Sequence, residues 1–390
     1  MNKFRSFALA FVFLFSIFGL KAQGINFEHG SVSEILEIAK KENKIVFVDC
    51  LTDWCGPCKW MSANTFTDPE VGEFFNENFV NYKLDMEKGE GIEFAKKYNV
   101  RAYPTLLFIN GDGELVHIGI GARDAVGFIE LGTSALNPEE NLKGLGIRYN
   151  VGERNSEFLG IYLKLLNTTG MDISKVLTDW KLEVKPNDLT NEFNWSVFEE
   201  VFSGSDNEYF SHVVQNYDAF AKELGKDAVN IKILNTYRKD LYTAISKGTE
   251  DEVKQVKNTI KDSGIEGAEK MVLVTEMSIA ARAKEWSTYK SLAETVAEQY
   301  TDEDWELLNS IAWTYYEQFD GKSDLKNALK WAAKSVGIEA HYYNLDTYGM
   351  LLAKLGETKD AKEQLSSAIE KANEEGMDAT ETKKALQGIE

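Results

Sequence analysis

Between Gly24 and Leu136 the apolar positions change period several times. Ser31–Lys41 carries Val32, Ile35, Leu36 and Ile38/Ala39 along one side, the spacing of a helix packed on a core. Ile45–Leu51 (IVFVDCL) drops that spacing for a continuous β-branched and aromatic run, as expected of a strand buried on both faces. The pattern then predicts a helix from about Gly56, a strand over Phe79–Met86 (FVNYKLDM) and a short helix over Gly91–Tyr98. Thr105–Asn110, the turn GDG and Glu114–Ile120 form a hairpin signal, and a last helix covers Asp124–Leu131. Helices and strands in this order predict an α/β layered domain with a central sheet.

Beyond Pro138 the pattern becomes helical throughout, and no proline follows Pro186. Glu208–Leu224, Asp227–Ser246 and Glu269–Lys284 read as amphipathic helices separated by glycine. Asn309–Phe319 with Leu325–Val336, and Leu345–Gly356 with Asp360–Ala372, form two successive helix pairs, and Met271–Tyr300 reads as a weaker copy. In the second pair Gly349, Ala361 and Ala368 put small residues where two helices cross. This resembles a tetratricopeptide repeat, although the segment FDGKSD lengthens the turn of the first pair. The expected organisation is residues 1–22 as a signal peptide, 24–137 as the α/β domain, 138–265 as an all-α domain and 266–390 as tetratricopeptide-like repeats.

The signal peptide is read from the basic start (Lys3, Arg5), the apolar run Phe7–Leu20 and the small residue Ala22. A run of about 14 residues is short for a bilayer span, which needs about 20. The expectation is an exported, periplasmic protein. With 43 basic and 63 acidic residues and a formal charge of −20, the chain is a poor candidate for binding nucleic acid or anionic lipid.

Three cysteines fall within nine residues, Cys50, Cys55 and Cys58, in the stretch CLTDWCGPC. A bridge between Cys55 and Cys58 would close almost no loop, so stapling is a poor use of the pair. A zinc site would need two more soft ligands, and the four histidines (His29, His117, His212, His341) are scattered. A c-type haem would need histidine after the second cysteine, where Lys59 stands. No metal or other cofactor is therefore expected. Dithiol–disulfide chemistry remains: at a helix N-terminus the Cys55 thiolate is stabilised by free N–H groups, and Cys58 lies one turn on, within reach to resolve a mixed disulfide. Pro57 suits the first helical turn, and Gly56 leaves room for a partner chain. Cys50 reads as inert packing inside the strand and Trp60 as core.

Residues 45–121 resemble thioredoxin. The run IVFVDCLTDWCGPCKWM carries the family's strand, acidic residue, tryptophan and WCGPCK motif in register. The resemblance implies a Cys55–Cys58 redox disulfide and Asp49 as the buried acid that takes the proton from Cys58. It implies Lys83, in YKLDME, as the lysine close to Asp49, and Pro104, in NVRAYPT, as a cis-proline beside the cysteines. Tyr103 and Thr105 flank that proline, and Gly121 helps form the substrate-facing surface with Trp54, Gly56 and Pro57. Leu51 stands where many members have a second tryptophan, and Asn64 lies near the usual kinking proline. TFTDPEVGEFFNENF is closer to exported members, such as the C-terminal domain of the bacterial transmembrane thiol-disulfide interchange reductase.

The function expected is an exported protein-disulfide oxidoreductase, leaning to a reductase because Gly-Pro is the dipeptide of reducing members. In an oxidising compartment that implies protein thiol or disulfide substrates and a membrane electron donor, with a protein partner on the helical repeats. An interaction scaffold with a thiol-capturing module, and a redox-gated chaperone, are the alternatives.

Overall fold

The computed structural model describes residues 24–389; the expected signal peptide lies outside the described residues. The chain divides into two compact units at Phe202/Ser203.

In the first unit, α1 (Val32–Glu42), capped by Ser31 and Glu34, leads into β1 (Ile45–Leu51). Then follow α2 (Gly56–Asn64), α3 (Pro69–Asn78), β2 (Phe79–Asp85), α4 (Gly91–Tyr98), β3 (Thr105–Ile109), β4 (Leu115–Ile120) and α5 (Ala125–Leu136). The sheet order is β2-β1-β3-β4, with β1 parallel to β2 and antiparallel to β3, and β3 antiparallel to β4. Since β1 is central, Val46–Cys50 are buried, as the unbroken apolar run requires. The register sets Asp49 opposite Lys83 on one side and Leu106 on the other.

Phenylalanines fill the core between sheet and helices. Phe47 is surrounded by Phe66, Phe75, Phe108 and Phe128 at centroid distances of 5.1 to 6.2 Å, and Phe75 stacks on Phe128 at 4.0 Å. Such ring pairs add roughly 0.5–1.5 kcal/mol each beyond the area they bury, and they hold α3 and α5 against one face of the sheet.

Four more helices belong to this unit: α6 (Leu142–Asn150), α7 (Ser156–Thr168), α8 (Ser174–Glu183) and α9 (Glu192–Val201). The first is fixed through His117 of β4, whose Nδ1 accepts the buried Leu142 N–H at 3.3 Å. Burial pushes the His117 pKa down to about 4, so the ring is neutral and free to accept.

The second unit is helical throughout its described residues: α10 (Glu208–Gln215), α11 (Tyr217–Leu224), α12 (Lys226–Lys247), α13 (Glu250–Asp262), α14 (Ala268–Ala283) and α15 (Trp286–Gln299). It continues with α16 (Trp305–Gln318), α17 (Lys322–Ile338), α18 (Tyr342–Leu355), α19 (Thr358–Glu375) and α20 (Thr380–Gly388). The expected single helix Glu208–Leu224 is two. It breaks at Asn216, whose backbone leaves the helical region (φ −115°, ψ 30°) while its backbone N–H and its side-chain amide both donate to the His212 carbonyl, at 3.0 and 2.9 Å. Consecutive helices pack closely in the pairs α14/α15, α16/α17 and α18/α19. Small residues set the closeness of the last pair, for Ala361 and Ala368 are fully buried and a Cβ built on Gly349 would lie 2.7 Å from the Leu365 side chain.

Gly349→Val tests that crossing. Valine overpacks it, which costs about 1–3 kcal/mol, and its modest helix propensity returns less than alanine's would. Chemical denaturation should show the second unit unfolding at lower denaturant, and an unchanged midpoint would mean that α18 and α19 can part freely.

Candidate active site

The site is built where β1 ends and α2 begins. Cys55 is the N-cap residue of α2, in extended conformation, and its Sγ accepts the Cys58 N–H at 3.1 Å. In the reduced protein the same N–H would stabilise a Cys55 thiolate, as a capping side chain satisfies an orphan donor of the first turn. Pro57 occupies the first turn, where its missing N–H is no loss. The two sulfurs form a disulfide across a Cα–Cα distance of 5.3 Å, and at 2% and 3% exposure the pair is nearly shut from water.

The residues just before Cys55 are tied to the loop after β2. The Trp54 indole N–H donates to the Glu87 carboxylate at 3.0 Å, and Lys88 bridges Asp53 and Asp85. Trp54 is nonetheless 66% exposed, with its ring edge-to-face against Tyr103 at 5.7 Å. The Tyr103–Pro104 peptide bond is cis. The Pro104 carbonyl accepts the Gly121 N–H at 2.9 Å, and the buried Thr105 hydroxyl donates to the Ala102 carbonyl at 2.7 Å. Gly121 has φ +89°, and nothing lies within 4 Å of where its Cβ would stand. The same open space surrounds Gly56. The exposed Trp54 ring, its half-buried partner Tyr103 and the bare Gly56 and Gly121 thus contrast with an almost buried disulfide.

Asp49 is buried on β1, and neither carboxylate oxygen has a hydrogen-bond partner. The nearest cation, Lys83 Nζ on β2, stands 3.6 Å from Oδ2, too far for a hydrogen bond. That ammonium is held elsewhere. It donates to Ser62 Oγ at 2.7 Å and lies over the rings of Phe27 and Phe66 at 4.6 and 4.7 Å from their centroids. Burial pushes the Asp49 carboxyl up to about 6, with the Lys83 charge opposing the rise, and burial lowers the Lys83 pKa while Asp49 raises it. Ser62 also locates Asp49 relative to the thiols. Cys58 and Ser62 are four residues apart on α2 and share a face, and that face reaches Lys83 and through it Asp49.

Of the residues expected from sequence, Trp54 meets Tyr103, Gly121 meets Pro104 and Lys83 meets Asp49, while Cys50 is buried, its thiol pKa raised well above normal by burial and by Asp49. Trp60 corrects the expectation of a core residue, being 48% exposed. The buried residues of α2 are Cys58 and Met61, and position 60 falls on the other side. Ser62, Glu87, Phe27 and Phe66 were missed. Only Ser62, one helical turn after Cys58, left a usable signal.

The profile of a thioredoxin-like domain matches residues 32–131. A thioredoxin of Echinococcus granulosus is 35% identical over 92 residues, 24% of this chain and 79% of that one. The chain belongs to the thioredoxin family. A thiol:disulfide interchange protein DsbD of Tatumella citrea is 31% identical over 94 residues, which is 23% of this chain and 16% of that protein. Among solved structures, a candidate disulphide isomerase of Bacteroides thetaiotaomicron is 50% identical, with a TM-score of 0.28 over 30% of this chain and 97% of that one. The thioredoxin-like domain is a thiol–disulfide oxidoreductase, working through Cys55 and Cys58.

Asp49→Asn isolates the cost of the buried charge. The folded-state pKa of about 6 lies above the ordinary 3.8, so between those values the native state holds more protons than the unfolded one. Stability accordingly falls as pH rises through that window, by about 3 kcal/mol in all. The oxidised Asp49→Asn protein should be more stable than the parent at pH 7, with the difference vanishing near pH 4. Parallel denaturation curves at both pH values would remove the buried charge from this account.

Proposed function

We propose that this protein is an exported reductase of protein disulfides. Cys55 attacks a substrate disulfide, Cys58 resolves the mixed disulfide, and Asp49 accepts the proton that Cys58 gives up, with Lys83 tuning how readily it does so. The observation that carries the direction is the unsolvated Asp49 carboxylate, linked through Lys83 to Ser62, one helical turn from Cys58. A negative charge there disfavours thiolate and so favours the disulfide, which makes the dithiol the stronger reductant. A substrate strand would dock across Trp54, Gly56, Pro57, Tyr103, Pro104, Thr105 and Gly121, where the exposed Trp54 ring and two bare glycines admit a neighbouring backbone.

Each turnover leaves Cys55–Cys58 oxidised, so two electrons must return from a donor, for which an exported protein needs a membrane partner. Export itself rests on the basic start and apolar run of residues 1–22. The tetratricopeptide-like helix pairs of the second unit are read as its partner-binding part.

Equilibration with glutathione should give a potential near thioredoxin's, roughly −270 mV. A value near roughly −120 mV would replace the reductase with a disulfide-forming enzyme. Cys58→Ser should accumulate mixed disulfides with substrate proteins and Cys55→Ser none; equal trapping by both would break the assignment of roles.

The rate of the resolving step should rise with pH through about 6 as Asp49 ionises. Lys83→Met removes the charge that opposes the rise in Asp49's pKa, so it should move the midpoint to higher pH. A profile that stays in place in stopped-flow measurements would exclude Asp49 as the acceptor.

A further inference from the structure

The second unit carries a groove of about 530 Å³ between α12 and α14. Its walls are two stripes at helical spacing: Asn235, Arg238 and Tyr242 on α12, and Thr275, Ser278 and Arg282 on α14. Met271, Val274 and Ile279 provide apolar surface between them, and Lys239 stands at the rim.

The charge distribution is one-sided. Arg238, Lys239 and Arg282 are exposed, none forms an ion pair among the described residues, and no acidic side chain lines the groove. The acids on the same two helices are turned elsewhere. Asp240 accepts the Ser205 N–H at 2.9 Å, Glu276 pairs with Lys257 at 2.8 Å, and Glu269 faces the Tyr300 hydroxyl. Asp227 lies at the start of α12, two turns before Asn235, outside the groove. In a chain of formal charge −20, three unpaired cations around an apolar floor are a local inversion of sign.

We propose that this groove docks an acidic segment of a partner protein. Its carboxylates are held by Arg238, Arg282 and Lys239, and one apolar or aromatic side chain rests on Val274, Met271 and Ile279 beside Tyr242. Guanidinium groups suit carboxylates because they can offer two parallel N–H donors. The exposed Asn235 amide can donate to and accept from the peptide backbone, while the Ser278 hydroxyl, whose proton goes to the Val274 carbonyl at 2.8 Å, can only accept. Each stripe spans eight residues, about 10 Å of helix, which matches about three residues of extended chain. A long polyanion such as nucleic acid is the poorer occupant, because beyond the groove it meets the acidic remainder of the chain. The proposal extends the reading of the second unit as the partner-binding part and is independent of the cysteines.

The test is fluorescence anisotropy with the full chain and a fluorescein-labelled peptide, Ser-Glu-Asp-Phe-Glu-Asp-Ser, against its Gln/Asn counterpart. Saturable binding of the acidic peptide is expected, weakening with added salt and at least about tenfold weaker for the neutral one. Arg238→Glu with Arg282→Glu should abolish binding, whereas Arg238→Lys with Arg282→Lys, which keeps the charge but not the paired donors, should weaken it and leave it measurable. Both double variants should keep parental circular dichroism and parental turnover of a small disulfide. If charge reversal disturbs the fold, Arg238→Gln with Arg282→Gln serves instead, with at least about a tenfold loss expected. No binding of the acidic peptide, binding that survives charge reversal, or equally tight binding of a single-stranded oligonucleotide would overturn the proposal. Loss of disulfide turnover in Cys55→Ser with peptide binding intact would leave it standing, so the two readings fail separately.

Discussion

Everything at the catalytic end is organised around one carboxylate that water does not reach. Asp49 sits in the central strand with neither oxygen hydrogen-bonded, an arrangement that ordinarily costs several kcal/mol. A cation in direct contact would relieve most of that cost and hold the group ionised, leaving it a poor acceptor near neutral pH. Lys83 stops at 3.6 Å because Ser62 and two aromatic rings hold its ammonium. The carboxyl is thereby left near the middle of the useful range, raised by burial and restrained by a cation at arm's length. A proton acceptor working near neutrality needs that intermediate position.

The surrounding fold serves this balance. Parallel pairing of β1 with β2 sets Lys83 beside Asp49, and antiparallel pairing with β3 brings the Pro104 segment to the end of β1 where Cys55 begins α2. The phenylalanine core keeps sheet and helices dry on one face, and dryness raises the carboxyl. The same low dielectric strengthens the single N–H contact on Cys55 Sγ. Stability and reactivity are opposed here, because the burial that tunes Asp49 lowers the stability of the folded state at neutral pH.

Much of this is legible in the sequence because it is local. IVFVDCL followed by CGPC states strand, helix start and redox cysteine pair within fourteen residues, and the spacing from Asp49 to Cys55 is fixed by one strand end and one turn. The tuning of Asp49 is not local. Phe27, Ser62 with Phe66, and Lys83 come from three separate stretches, and neither phenylalanine carries a pattern that distinguishes it from ordinary core. Trp60 misleads for a related reason: size and hydrophobicity suggest a core residue, but helical phase from Cys58 and Met61 puts it outside. The break at Asn216 is hidden likewise, since the apolar periodicity runs through it and only the backbone of one asparagine leaves the helical region.

The two units contribute on different terms. A dithiol that exchanges with exposed disulfides has little intrinsic selectivity, since the reacting sulfurs are alike in every substrate, and Trp54, Tyr103 and the glycines around the pair offer mainly backbone and ring contacts. Selectivity can be raised by holding the substrate at a second place on the same chain. Covalent linkage then turns the encounter with the disulfide into an intramolecular event at an effective concentration on the order of millimolar, provided that the substrate can reach both places. Docking for that purpose must be weak enough to release product. Exposed, salt-screened cations bind more weakly than a buried pair would, and a cationic groove on an otherwise acidic surface adds steering without a tight complex.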